Sequence, residues 1–226
     1  MKATDGSEDA KRRAGESAAD RVEDGMVVGL GTGSTTAHAI RTLGDRVEAG
    51  LDVRGIPTSY QSRALAREVG IPLVTLEDAL PNVAIDGADQ FAGAHLVKGG
   101  GAAHAREKFV DASADRLLVV ADETKRADVL DHPIPVEVLP DAVPVVERAV
   151  RAEGGDPTLR SAERKDGPVV TDNGNLVLDC AFGPVEAPAD LAATLSATPG
   201  CVEHGLFVGL ADELHVGGET VTVERV

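Results

Sequence analysis

The sequence predicts an α/β protein: a Rossmann-like domain with a mostly parallel sheet, and a second, smaller α+β domain. Through about residue 130, apolar runs of about five residues alternate with helix-like segments of ten or more, which is typical of βαβ units. The chain then becomes proline-rich, and two strand-like runs flank Asn173-Gly174, a favoured hairpin turn. We therefore expect residues 1–130 with 206–226 to form the Rossmann-like domain and residues 131–205 the smaller one.

The elements of the larger domain follow from hydrophobic spacing and turn residues. Ala14, Ala18 and Val22 recur at helical spacing, which predicts a first helix within residues 9–24. Ser59 is expected to cap the third helix. The later elements, in chain order, are a strand, a glycine-rich turn and a helix in MVVGLGTGSTTAHAIRTLG, a strand in LDVRGIPTS, a helix in YQSRALAREVG, strands in IPLVTL and NVAIDGAD, a helix after KGGG, and a strand in RLLVV.

The smaller domain is predicted to combine helices with a hairpin. The segments with helical spacing are VVERAVRAEG and PADLAATLSATPG, and the hairpin lies in GPVVTDNGNLVLDCAF. The β-rich segment LFVGLADELHVGGETVTVERV is expected to return to the larger domain.

Composition argues against several classes of function. The chain of 226 residues carries 38 acidic and 22 basic side chains, a formal charge of −16, which repels nucleic acid and anionic membranes. The acids are spread along the chain, so we interpret them as a solvated surface suited to a cytosol very rich in salt. No run approaches a membrane span and no signal-like segment is present, so we expect a cytoplasmic protein. For Cys180 and Cys201, reduced core thiols are favoured over a disulfide.

Polar stretches follow the predicted strands, where ligands of open α/β sheets bind. In GLGTGSTT, residues 29–36, small residues and a helix N-terminus suit a phosphate; the lysine of a Walker A loop is missing, and a tight turn capped by Ser34 or Thr35 is the alternative. Asp86 and Asp89 in AIDGADQ could hold sugar hydroxyls and move protons, whereas the alternative is a turn in which Asp86 bonds its own backbone.

Two further stretches carry lysines. Lys98 precedes glycines 99–101, which together offer a cation and exposed amides to a developing oxyanion. Glu107 follows in the second turn of the next predicted helix, where the pattern fits either a proton-transferring base or an ordinary surface carboxylate. Lys125 in ADETK could close on a phosphate or be a solvated lysine. The histidines, serines and cysteines show no metal-ligand or nucleophile motif, so no metal site is assigned.

Taken together and in this order, several stretches resemble the signatures of the ribose-5-phosphate isomerase A family. They are GLGTGSTT, IDGADQ, KGGGAAHAREK, ADETK, PIPVEVLP and GPVVTDNGN. The resemblance implies interconversion of D-ribose 5-phosphate and D-ribulose 5-phosphate through an enediolate, in the non-oxidative pentose phosphate pathway. It also implies a homodimer or homotetramer that needs no metal or organic cofactor. Gln90 departs from the family, which usually has an acid at this position.

The same resemblance implies a role for each site residue. Glu107 matches the catalytic base. For the mechanism that this implies, our hypothesis is that Asp86, with Asp89, assists ring opening and that Lys98, with the amides around residues 99–101, stabilises the enediolate oxygen. Lys11 is an additional match, to a family lysine near the phosphate. The substrate-binding residues that it implies are Thr32, Gly33, Ser34, Thr35, Asp86, Gly87, Ala88, Asp89, Lys98, Gly99, Gly100, Gly101 and Lys125.

Two other interpretations stay open at the level of sequence. A non-catalytic sugar-phosphate sensor of related fold would keep the phosphate loop, but it has no need of Lys98 and Glu107 together and would normally carry a DNA-binding module. An amino-sugar-phosphate isomerase or deaminase would be expected to need a catalytic histidine motif, which the sequence lacks.

Overall fold

The computed structural model describes residues 6–226, which divide into two compact units. The sheet unit comprises residues 6–88, Arg106–Arg126 and Leu210–Val226, and the small unit comprises Asp89–Ala105 and Ala127–Gly209. The predicted fold class is confirmed, because one unit holds a mostly parallel sheet with helices and the other a smaller antiparallel α+β fold. The division into domains at residues 130 and 205 stays a prediction.

Helices and strands occur in both units. The helices are α1 (Glu8–Ala19), α2 (Ser34–Glu48), α3 (Tyr60–Glu68), α4 (His104–Ser113), α5 (Val143–Ala152) and α6 (Pro188–Ser196). The strands are β1 (Val27–Leu30), β2 (Arg54–Pro57), β3 (Val83–Gly87), β4 (Gln90–Ala92), β5 (His95–Val97), β6 (Leu117–Asp122), β7 (Ile134–Val138), β8 (Asp156–Leu159), β9 (Leu176–Ala181), β10 (Cys201–His204), β11 (Leu206–Phe207), β12 (Glu213–Gly217) and β13 (Val221–Arg225).

The sheet unit is built on six strands, counted within residues 6–226, in the order β13-β12-β6-β3-β1-β2. Only the pair β12–β13 is antiparallel; the other neighbours run parallel. Parallel strands need crossover connections, which the helices supply. The carboxyl ends of β1, β3 and β6 therefore lie along one edge of the sheet, and each is followed by one of the predicted polar stretches.

The core of the sheet unit explains why these strands form. β1 and β6 are buried along their whole length, as expected of parallel strands covered on both faces. Val28, Ile85 and Leu118 belong to the same apolar cluster as Ile40 and Leu43 of α2. Burial of such side chains stabilises the folded state by about 25 cal/mol for each Å² of apolar surface removed from water.

One predicted strand is wrong. The segment IPLVTL forms a single bridge from Leu73 to Gly55 instead of a strand. Two backbone hydrogen bonds join the segment to β2, from Gly55 N to Pro72 O (2.8 Å) and from Val74 N to Gly55 O (3.0 Å). Pro72 has no amide hydrogen with which to extend this pairing.

The small unit contains an antiparallel sheet of order β10-β7-β9-β8 and a three-stranded sheet of order β11-β5-β4. Val136 on β7 and Leu178 on β9 pack with Val146 and Val150 of α5 in one apolar cluster. The predicted hairpin turn forms, with Gly174 at φ +85°. Ahead of that turn, the predicted first strand is reduced to isolated bridges such as Val170 to Leu176.

Both cysteines lie in the small unit and form no disulfide among residues 6–226, in agreement with the expectation of reduced side chains; Cys180 is buried and Cys201 partly buried. Burial raises the pKa of the Cys180 thiol to about 12, so this thiol stays protonated at neutral pH. Among the helices of residues 6–226, none is long and apolar enough to cross a membrane.

Candidate active site

The glycine-rich loop between β1 and α2 is the first part of the candidate site in the sheet unit. Gly33 occupies the N-cap position with φ +126°, a conformation that favours glycine, and α2 begins at Ser34. No side chain among residues 6–226 caps this helix end, so the alternative of a cap by Ser34 or Thr35 is wrong. The first amide groups of α2 therefore remain as donors that suit an anion.

Thr32 ties the ends of three strands together. Its backbone N–H donates to Asp86 Oδ1 (3.0 Å), and its hydroxyl lies 3.0 Å from Thr58 Oγ1 and donates to Ser59 Oγ (2.7 Å). Thr58 in turn donates to the carbonyl of Leu30 (3.1 Å). These bonds hold the glycine-rich loop in one conformation, as pre-organised binding requires.

Asp86 stands at the end of β3 and is 1% exposed. Its Oδ1 accepts from the amides of Thr32 (3.0 Å) and Gly87 (2.7 Å), so the predicted bond to its own backbone forms together with a bond to the neighbouring loop. A Cβ at Gly31 would overlap the Asp86 carboxyl group, and this close approach explains the glycine. The carboxylate is therefore fixed in one orientation at the sheet edge.

Glu107 lies in the first turn of α4, not the second, because the helix begins at His104. Only 4% of the residue is exposed, so the interpretation as an ordinary surface carboxylate is wrong. Asp111, one turn further along the same helix, is 3% exposed. Asp111 was missed at the sequence level, although the E-x-x-x-D spacing places both carboxylates on one helix face. Buried acids are costly, and their clustering is typical of functional sites.

Two lysines of the sheet unit lie on other elements. Lys125 is half-buried in the 3₁₀ turn Glu123–Lys125 after β6, and Asp122 holds this turn by accepting from the amide of Thr124 (3.0 Å). Lys11 on α1 is 2% exposed, and its Nζ lies 3.1 Å from Glu8 Oε1. The hydrogen bond from Lys11 lowers the pKa of Glu8, whose carboxylate is therefore the stable form.

Lys98 follows β5 in the small unit and is 2% exposed. Its backbone N–H donates to the carbonyl of Gly205 (2.8 Å), and a Cβ at Gly205 would overlap the carbonyl of Lys98. The ammonium lies 5.3 Å from the centre of the Phe207 ring, a cation–π distance. Phe207, which directs this lysine, gave no signal in the sequence.

The glycine loop after Lys98 is held on its neighbours in the small unit. Gly99 has φ +107°, and a Cβ there would meet His104 Nδ1 at 2.7 Å. The amide of Gly100 donates to Asp89 Oδ2 (2.7 Å), and a Cβ at Gly100 would lie 2.6 Å from Asp89 Oδ1. Ala102 adopts φ +58°, which is uncommon for a residue other than glycine. The close contacts of this loop with His104 and Asp89 therefore fix its conformation.

Gln90, the residue that departs from the family pattern, bonds a different segment of the small unit. Its Oε1 accepts from the amides of Asp131 (2.8 Å) and His132 (2.9 Å), and its Nε2 donates to Asp131 Oδ1 (2.5 Å). A carboxylate at this position could not donate and would repel Asp131. The side-chain amide of Gln90 can therefore both accept from the backbone and donate to Asp131, which a carboxylate could not do.

The structure brings part of the predicted site together within each unit. In the sheet unit Thr32, Asp86 and Gly87 are joined by hydrogen bonds, and in the small unit Gly100 is bonded to Asp89.

Comparison with known proteins identifies relatives along nearly the whole chain. The family model of ribose 5-phosphate isomerase A (phosphoriboisomerase A) matches residues 54–221. The ribose-5-phosphate isomerase A of Natronomonas pharaonis is 74% identical over 217 residues, which cover 96% of each chain. That of Haloarcula marismortui is 68% identical over 222 residues, covering 98% of this chain and 97% of that one.

Solved structures show the same similarity. Ribose 5-phosphate isomerase A from Methanocaldococcus jannaschii matches with a TM-score of 0.93 at 43% identity, covering 97% of this chain and 99% of that chain. A D-ribose-5-phosphate isomerase determined in complex with phospho-erythronic acid matches with a TM-score of 0.95 at 39% identity, covering 98% and 100% of the two chains.

Proposed function

The chain belongs to the ribose 5-phosphate isomerase A family and interconverts D-ribose 5-phosphate and D-ribulose 5-phosphate, and we propose that Glu107 is the base that carries the proton between C2 and C1. Removal of the C2 proton gives an enediolate, and return of the proton at C1 gives the ketose. The observation that carries this assignment is the burial of Glu107 at the start of α4. A carboxylate withdrawn from water is better suited to accept a proton from carbon than a solvated one.

Asp86 is proposed to open the furanose ring. Two backbone amides, those of Thr32 and Gly87, hold its Oδ1 at 3.0 and 2.7 Å, so the carboxyl group keeps one orientation. With Oδ1 held in this way, Oδ2 can take the proton of the anomeric hydroxyl and deliver it to the ring oxygen as the bond between C1 and that oxygen breaks. Asp89, which holds Gly100, and the backbone of Gly87 and Ala88 are proposed to complete this binding stretch.

Lys98 and the glycine loop of residues 99–101 are proposed to stabilise the negative charge of the enediolate oxygen, with the Gly100 amide holding the loop on Asp89 Oδ2 (2.7 Å). The burial of Lys98 and its position over Phe207 support this role, because a cation in low dielectric interacts more strongly with a developing anion. Each such donor is typically worth about 3 kcal/mol of transition-state stabilisation.

The phosphate group is proposed to bind at the start of α2, to Thr32, Gly33, Ser34 and Thr35, with Lys125 as a cation. The uncapped helix end supports this assignment, because its free amide groups suit an anion. Binding energy from this remote group can serve the chemistry at C1 and C2.

One assay tests the proposed function. Purified protein is incubated with D-ribose 5-phosphate and a chelator at low and at molar KCl, and formation of D-ribulose 5-phosphate is followed. We expect turnover with the chelator present, because the proposed residues need no metal. A mock purification from the same host controls for contaminating isomerase. Binding of the sugar phosphate without turnover at any salt would support the sensor instead.

We further propose that the protein acts in the non-oxidative pentose phosphate pathway, in the cytoplasm of a salt-loving cell, as a homodimer or homotetramer. The reduced state of Cys180 and Cys201 and the charge of −16 support the location. Exposed Leu139, Val170 and Val202 in the small unit support self-association, because such side chains favour burial against a second copy. Light scattering on the purified protein at molar salt checks the number of chains, and a monomer would contradict the last point.

A further inference from the structure

Arg160 directly follows β8 and contacts the glycine loop of the same unit. Its Nη1 donates to the carbonyls of Gly99 (2.9 Å) and Gly100 (3.3 Å). Its side chain is only 12% exposed, although the surrounding segment is polar. Because this arginine is largely buried and donates to two consecutive loop carbonyls, it constrains the conformation of the loop, which a solvated side chain would not do.

Asp179 on β9 holds the guanidinium in place. Nε donates to Asp179 Oδ2 (2.9 Å), and Nη2 donates to Asp179 Oδ1, which makes a two-point contact between the planar groups. The backbone supports this geometry, since Arg160 N donates to Val177 O (2.9 Å) and Thr158 pairs with Asp179 across the sheet. The position of the guanidinium is therefore set by the register of β8 against β9.

The direction of the loop amides follows from the same bonds. In a trans peptide, the C=O and N–H groups point in opposite directions. The Gly99 carbonyl bonds Arg160, and the N–H of the same peptide, on Gly100, donates to Asp89 Oδ2 (2.7 Å). The Gly100 carbonyl also bonds Arg160, so the N–H of Gly101 points away from the guanidinium.

We propose that Arg160 is a positioning residue for the isomerase reaction: by holding the Gly99 and Gly100 carbonyls, it presents the Gly101 amide to the enediolate oxygen. Arg160 itself does not touch the substrate. This inference rests on the proposed function of the Lys98–glycine loop. Lysine could not replace it, because one ammonium lacks the planar fork that binds Asp179 and two carbonyls at once.

The test compares Arg160→Gln and Arg160→Lys with Arg151→Gln. Arg151 is a matched control on α5 of the same unit, half-exposed and ion-paired with Glu147 at 3.1 Å. For each protein we would measure kcat, KM, melting temperature and inhibition by phospho-erythronic acid at one molar salt concentration. The planar carboxylate of that acid resembles the enediolate, so its affinity reports on the oxyanion contacts.

We expect Arg160→Gln to lower kcat by about 10- to 100-fold and to leave KM nearly unchanged. This decrease in kcat would be no larger than the decrease that follows loss of an oxyanion donor. The affinity for phospho-erythronic acid should fall more than that for ribose 5-phosphate. Arg160→Lys should regain melting temperature but not kcat, and Arg151→Gln should match wild type. If Arg160→Gln does not fold, Arg160→Lys and Asp179→Asn carry the same comparison.

Three results would overturn the proposal. The first is a lower melting temperature of Arg160→Gln with kcat and inhibitor affinity of wild type, which would make the contact structural only. The second is full recovery of kcat in Arg160→Lys. The third is absence of turnover in the wild-type protein, which would contradict the proposed function as well. If the wild-type protein turns over and Arg160→Gln has the same kcat, only the positioning role is contradicted.

Discussion

Glu107 shows how the environment of one residue changes its chemistry. As a sequence position between Arg106 and Lys108 it is compatible with a solvated helix face, yet the structure leaves only 4% of it exposed. Removal of a carboxylate from water costs several kcal/mol unless its surroundings compensate. The burial of this acid at the start of α4, with Asp111 one turn away, is the observation on which its proposed role in proton transfer rests.

The substitution Glu107→Gln removes the proton acceptor while keeping the size of the side chain. We expect turnover to fall by at least about 100-fold with little change in KM, because general-base catalysis is lost and binding groups remain. Glu68→Gln, an exposed change on α3, is the matched control and should behave as wild type. Isomerase kinetics at molar salt check this, and turnover of Glu107→Gln near wild type would remove Glu107 from its role.

At this scale the sequence predicts the identity of site residues better than their partners. Ser59 was expected to cap α3, and it does so by accepting from Ser62 N (3.1 Å), because capping depends on local spacing. The contact of Arg160 with Gly99, 61 positions apart, depends instead on the register of β8 against β9, which both lie much further along the chain. Neither composition nor spacing carries that information.

Among the elements, α1 and β12 depend on one another. Ser17 Oγ on α1 lies 2.9 Å from His215 Nδ1 on β12, and His215 is fully buried. Burial lowers the pKa of His215 to about 4, and it outweighs the opposite effect of Glu213, whose Oε2 lies 3.6 Å from His215 Nε2. Arg21 also lowers this pKa and contacts Glu213.

This pKa predicts acid sensitivity with a definite sign. Between the unfolded pKa of about 6.5 and the folded value of about 4, the unfolded chain binds more protons, so stability is full above pH 6.5 and falls as the pH drops towards 4. The loss attributable to His215 is of the order of 3 kcal/mol. In His215→Gln, which keeps a polar group for Ser17, the pH dependence should be flatter.

Denaturant unfolding of wild type and His215→Gln from pH 8 to pH 4 checks the prediction. The difference in unfolding free energy should stay constant above pH 6.5 and shift in favour of the variant below it. Parallel curves over the whole range would show that His215 does not titrate in this way.

The sequence predicts helices and strands correctly where apolar residues form a continuous run or recur at helical spacing. β1, β3 and β6 are buried runs bounded by turn residues, and the helices between them have clear periodicity. IPLVTL had the composition of a strand but lies at the edge beside β2, where Pro72 limits pairing. Local composition does not specify which edge a segment meets.

For the whole molecule, charge is the dominant surface property. With 38 acidic and 22 basic side chains, at least 16 carboxylates (38 − 22) have no lysine or arginine to pair with one-to-one. Their mutual repulsion destabilises the compact state at low salt. Screening should reduce this repulsion, since the Debye length falls from about 10 Å at 0.1 M salt to about 3 Å at 1 M.

We therefore expect the melting temperature to rise between about 0.1 M and about 1 M KCl, the range over which screening becomes short-ranged. The triple variant Asp45→Asn, Glu48→Gln, Glu77→Gln changes three exposed acids to amides of equal size and reduces the formal charge from −16 to −13 (−16 + 3). Its melting temperature should depend less on KCl than that of wild type. An equal or steeper dependence in the variant would contradict charge repulsion as the cause.

The contact of α1 with β12 also has a consequence for synthesis. Ser17 and His215 are 198 positions apart, and Gly217 is so close to α1 that a Cβ there would overlap the carbonyl of Ala10. At about 5–20 residues per second, the ribosome delivers β12 roughly ten to forty seconds after α1. During that interval β12 is not available to α1, so the contact of Ser17 with His215 forms only at the end of synthesis.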